Sequence, residues 1–113
     1  VVDDQLGVRS LLVSIFRDDG HEVKMAADGT QALQLHRSFK PDLILLDMKM
    51  PRMDGIETLE KIQVSDCRVD VIMMTDYGNF QNMEQVKDLG ILHYINKPFD
   101  VFNLKDQVNE ILN

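Results

Sequence analysis

Five strand-like segments alternate with five helical ones along this chain, and few folds accommodate that order. The strand patterns fall at residues 1–2, 22–26, 43–46, 69–74 and 92–95. The helical periods fall at 5–18, 30–39, 56–64, 80–89 and 101–112. The first helix aligns Val8, Leu12, Ile15 and Phe16 on one stripe, and the last aligns Leu104, Val108 and Ile111. Segments 43–46 and 69–74 are nearly continuous apolar runs, the pattern of strands covered by helices on both faces. Strict alternation predicts a doubly wound α/β fold with a parallel sheet and right-handed crossovers. Gly20 and Gly90 follow helices, where a left-handed cap is usual, while Asp28-Gly29 and Asp54-Gly55 precede them as turns or N-caps.

The 113 residues suffice for one domain, read as 1–113. Its first strand is shorter than the usual five or six residues (about that in the average sheet), so the strand is expected to begin upstream of Val1. A net charge of −7, with scattered Lys and Arg, argues against direct nucleic-acid binding. No apolar run approaches the ~18 residues of a membrane span, and no leader is visible, so a soluble, cytoplasmic protein is expected. Cys67 has no partner for an internal disulfide and reads as an inert loop cysteine.

In open parallel sheets, ligands bind beyond the carboxyl ends of the strands, where strand order reverses. With the common five-strand order 2-1-3-4-5, Asp3 and Asp4 after strand one lie beside Asp47 after strand three. Two carboxylates about 4 Å apart repel by roughly 4 kcal/mol at an effective dielectric of 20. Protonation or a cation must relieve that repulsion, and oxygen-only ligands suit Mg²⁺. Asp3 and Asp4 could instead simply cap the first helix, but that leaves Asp47 unexplained. Thr75 and Lys97 end two further strands on the same edge. Each alone would pass for a surface residue. Together they suit a site that receives a phosphoryl group, with an aspartate as nucleophile.

Val2-Asp3-Asp4, Leu45-Leu46-Asp47-Met48, Met50-Pro51-Arg52-Met53-Asp54-Gly55, Met74-Thr75 and Lys97-Pro98-Phe99 resemble the response-regulator receiver family across the whole chain. The resemblance implies a flavodoxin-like (βα)5 fold and two-component signalling. In it, Asp47 accepts a phosphoryl group from a histidine of a partner, a sensor histidine kinase, and in a phosphorelay passes it on to a helical histidine phosphotransferase. Asp4, Asp47 and the Lys49 carbonyl would bind Mg²⁺, or Mn²⁺ in its place, with Asp3 acting through water. Thr75 and Lys97 would contact the phosphoryl group, Thr75 and Tyr94 would switch on phosphorylation, and the Lys97–Pro98 bond would be cis. Such a protein is a phosphotransfer intermediate that gains and loses its own phosphoryl group rather than a turnover enzyme.

Within the family the chain is most similar to single-domain regulators of the sporulation phosphorelay, notably in Asp3-Asp4-Gln5, Asp47-Met48-Lys49 and Lys97-Pro98-Phe99-Asp100. That likeness implies partner docking through Gln5, Val8, Leu11, Pro98 and Phe99. One departure is Asp76, where the family usually has a small residue beside the entrance to the phosphorylated aspartate. It is expected to repel an incoming anion, or to tighten cation binding. Lys49 and Tyr77 flank the path of attacking water, and their bulk suggests a long-lived phosphoryl group. Two other readings stay open: a receiver cut from a DNA-binding transcriptional regulator, and a pseudo-receiver serving as an interaction module. A haloacid-dehalogenase-like phosphatase is set aside, because Lys49 stands where its second aspartate would be.

Overall fold

The computed structural model describes residues 1–50, 53–66, 68–76 and 93–112, with only the backbone of Asp76. The helix expected at 80–89, the Gly90 cap, Cys67 and Tyr77 lie outside the described residues. The helices are α1 (Leu6–Asp18), α2 (Gly29–Phe39), α3 (Gly55–Ser65) and α4 (Val101–Leu112). Strands β1 (Leu43–Asp47), β2 (Asp70–Asp76) and β3 (His93–Lys97) form a parallel sheet in the order β1-β2-β3. Among the described residues, no helix is long and apolar enough to cross a membrane.

Capping explains several helix boundaries. Asp28 accepts the Gln31 amide at 2.9 Å, and Asp54 accepts the Glu57 amide at 2.9 Å, each satisfying a donor of the first turn. The Gln31 side chain reaches back to the Ala27 amide at 2.9 Å. Beyond α1, Gly20 has φ +92°, the left-handed conformation expected there.

The sheet separates two buried clusters, which accounts for the missing alternation in β1 and β2. Ile44, Leu46, Val71 and Met73 face α2 and α3, packing with Ala32, Leu59 and Ile62. Leu45, Ile72 and Met74 face α1 and α4, packing with Leu12, Phe16, Leu104 and Val108. Both faces of each strand are therefore apolar.

The two remaining expected strands are reduced to bridges. Val2 pairs in parallel with both Ala26 and Leu46, and its amide donates to the Leu45 carbonyl at 2.7 Å. The strand expected at 22–26 survives only at Ala26. Around it, the Val1 amino group donates to the Lys24 carbonyl at 3.0 Å, the Ala26 amide to the Val1 carbonyl at 2.9 Å and the Asp3 amide to the Ala26 carbonyl at 3.2 Å, the bonding pattern of a parallel pair. The other strands run one to two residues further at their carboxyl ends than their apolar runs, taking in Asp47, Thr75, Asp76 and Lys97.

Candidate functional site

Those carboxyl ends build one site. Val2 lies between Ala26 and Leu46, so Asp3 emerges beside Asp47, the last residue of β1. Lys97 is the last residue of β3, and the β2–β3 register sets it opposite Asp76 and sets Asn96 opposite Thr75. The Gly55 amide donates to the Met48 carbonyl at 2.9 Å. A Cβ at Gly55 would collide with the Asp47 carbonyl and the Met48 Cα, so α3 begins in direct contact with the backbone of Asp47.

The charges are close and poorly solvated. Asp3 is fully buried and Asp47 is 4% exposed, whereas Asp4 is exposed. The Lys97 ammonium lies 2.6 Å from Asp3 Oδ2 and 3.4 Å from Asp47 Oδ1. The Gln5 amide donates to Asp3 Oδ1 at 2.8 Å, and the Lys49 amide to Asp47 Oδ1 at 3.3 Å. Burial, then the charge of Asp3, pushes the Asp47 carboxyl up to about 6, outweighing the pull of Lys97 and the Lys49 amide. Burial lowers the Lys97 pKa, but the Asp3 hydrogen bond and the charges of Asp47 and Asp3 outweigh it and hold it above the ordinary lysine value.

This donor set fits a hard divalent cation. Asp3, Asp4 and Asp47 each offer a carboxylate oxygen, and these atoms lie within 4.8 Å of one another. Lys97 already stands between two of the carboxylates as a cation. The raised Asp47 pKa is the strain that added positive charge would relieve.

Asp3, Asp4, Asp47 and Lys97 thus meet as the sequence suggests. Capping of α1 does not explain the pair at 3–4, because the N-cap is Gln5 and Asp3 accepts from the amide of Gln5 itself rather than from one in the first turn. Thr75 is buried, and its hydroxyl donates to Asn96 Oδ1 at 2.8 Å. Tyr94 is 44% exposed and Leu11 is 49% exposed. Gln5 and Pro98 are exposed too, while Val8 and Phe99 pack partly against the cluster under α1 and α4. The Lys97–Pro98 bond is cis. Sequence reasoning missed Asn96, and also Arg9, whose guanidinium donates to the Asp3 carbonyl at 2.8 Å. Arg9 lies one helical turn beyond Gln5, a spacing that could have pointed to it. Asn96 could be found only through strand register.

Residues 1–109 match the family model of the response regulator receiver domain. The chain belongs to that family. It is a receiver domain, the phosphoacceptor module of two-component signalling. It is 45% identical over 112 residues to sporulation initiation phosphotransferase F of Bacillus subtilis, covering 99% of this chain and 90% of that protein. It is 36% identical to the regulatory protein AtoC of Escherichia coli, covering 99% of this receiver and 23% of that longer protein. Its fold matches the crystal structure of a CheY-like receiver protein from Methanospirillum hungatei with a TM-score of 0.93. That match has 31% identity and covers 98% of this chain and 89% of the other.

Proposed function

We propose that Asp47 accepts a phosphoryl group from a phosphohistidine and passes it to a histidine of a second partner, as an intermediate of a phosphorelay. The observation that carries this reading is the buried Asp47 carboxylate held beside Asp3 and Asp4 with Lys97 across it. In the forward step the phosphorus–nitrogen bond of the phosphohistidine breaks, a phosphorus–oxygen bond to Asp47 forms, and the imidazole leaves. Among the described residues, the Lys97 ammonium and the Lys49 amide meet Asp47 Oδ1, which favours Oδ2 as the nucleophile. Lys97 offsets charge on the transferring group, and Thr75 serves as a hydroxyl donor to it.

Asp4, Asp47 and the Lys49 carbonyl would hold Mg²⁺, with Asp3 supporting through water. When bound, the ion would offset negative charge on the phosphoryl oxygens. Sheet order 2-1-3-4-5 is supported by the position of Val2 between Ala26 and Leu46. Gln5, Val8, Leu11, Pro98 and Phe99 would form the docking face for the kinase and the phosphotransferase. The likeness to the sporulation phosphotransferase along most of its length supports the relay role. The similarity to AtoC favours a second reading, a receiver module of a transcriptional regulator.

The test is incubation with Mg²⁺ and a small acyl phosphate, followed by intact mass. One added phosphoryl group, absent in Asp47→Asn, is expected; no addition to the native chain would leave a pseudo-receiver. Onward transfer from the phosphorylated chain to a helical histidine phosphotransferase separates relay from transcriptional regulator.

A further inference from the structure

Thr75 and Asn96 are direct partners across the parallel β2–β3 pair. Thr75 is 2% exposed, and its hydroxyl donates to Asn96 Oδ1 at 2.8 Å. A hydroxyl carries one proton, so a proton given to Asn96 is withheld from a phosphoryl oxygen on Asp47. An asparagine side chain has both an acceptor and a donor end. If the amide turns over, Nδ2–H donates to the Thr75 oxygen and the hydroxyl proton is freed. Asn96 is exposed, so water can meet whichever end the amide turns outward.

We propose that Asn96 is a positioning residue for Thr75: it holds the hydroxyl proton while Asp47 is unmodified and releases it when a phosphoryl group arrives. This rests on the roles given above to Asp47 and Thr75, and deepens them. Asn96 touches no transferring atom; it sets how readily Thr75 can donate.

The probe is beryllofluoride with Mg²⁺, a stable phosphoryl mimic, titrated into the native chain, Asn96→Ala, Thr75→Ala and the double variant, with Asp47→Asn as blank. Asn96→Ala is expected to bind more tightly, by up to about fivefold, the fold-change of one ordinary net hydrogen bond and the most that holding the hydroxyl proton could cost. In the Thr75→Ala background the same change is expected to have no effect. The side-chain amide resonances of Asn96 in the native protein should shift on titration, a readout that needs no variant. Equal or weaker binding by Asn96→Ala overturns the proposal, as does a gain that persists without the Thr75 hydroxyl or an amide that does not respond. If the native chain binds no more than Asp47→Asn, the phosphoacceptor reading itself fails. A native chain that binds beside an Asn96→Ala that gains nothing fails the positioning role alone.

Discussion

The Lys97 ammonium sits closer to Asp3, at 2.6 Å, than to Asp47, at 3.4 Å. Lys97 is therefore first the counter-ion of a fully buried carboxylate and only second a neighbour of the proposed phosphoacceptor. Removing one partner of a buried ion pair leaves the other charge unpaired in a poorly solvated place. Lys97→Ala is expected to lose about 3 kcal/mol of stability in urea without divalent cation, on the scale of such broken pairs. The same variant should bind Mg²⁺ more tightly by calorimetry, because a competing positive charge has gone. Unchanged stability and weaker Mg²⁺ binding would contradict this ordering of the two contacts.

Asp47 leads to a pH dependence of unusual sign for a carboxylate. Its folded pKa of about 6 lies above the ordinary 3.8, so the folded state holds that proton more tightly than the unfolded chain does. Without divalent cation, its contribution to stability is present below pH 3.8 and lost as the pH rises through 6. The loss is at most about 3 kcal/mol. Thermal melts of native protein and Asp47→Asn in chelator should differ little at pH 4, with the variant the more stable at pH 7. Mg²⁺ should raise the native melting temperature at pH 7 far more than at pH 4.

Gly55 is required by contact with backbone rather than by an unusual φ. Its missing Cβ leaves room for the Asp47 carbonyl and Met48 Cα, neither of which can rotate away. Gly55→Ala should cost about 2 kcal/mol or more, the scale of overpacking in a close-packed interior. It should also reduce phosphoryl acceptance, since the displaced backbone is that of Asp47. A variant with native stability and acceptance would show that α3 can move aside freely.

Asp76 pairs with Lys97 across the β2–β3 edge, adding a carboxylate-bearing residue to the strand ends around Asp47. Like charge repels an incoming anionic donor. Phosphorylation of Asp76→Ala by acyl phosphate at saturating Mg²⁺ is expected to be several-fold faster than that of the native chain. A rate equal to or below the native one would remove Asp76 as the barrier.

Much of this architecture is legible along the chain because its causes are local. Helical spacing of Leu12 and Phe16, or of Leu104 and Val108, already defines the buried stripe, and α4 spans the residues its periodicity suggests. The caps at Asp28 and Asp54 follow from short side chains next to their own helices. The strand expected at 22–26 is present as a bridge at Ala26, because a ladder depends on its neighbour and not on the local pattern alone. Thr75 and Lys97 looked like surface residues singly; the packing of β1, β2 and β3 buried the first and left the second largely enclosed.

By itself, then, the sequence determined the alternation of strand and helix, the edge of the sheet that carries Asp3, Asp47, Thr75 and Lys97, and the family. Periodicity and strand termini suffice for that, since each fixes a face or an end within a few residues. Only the tertiary structure decided which carboxylate Lys97 pairs with, that Asp3 is buried while Asp4 is exposed, and that Thr75 gives its proton to Asn96. Lys97 and Asp3 are 94 positions apart, and Thr75 and Asn96 are 21 apart. Differences of less than 1 Å choose among such partners, and those distances are set by how the strands pack rather than by any spacing along the chain.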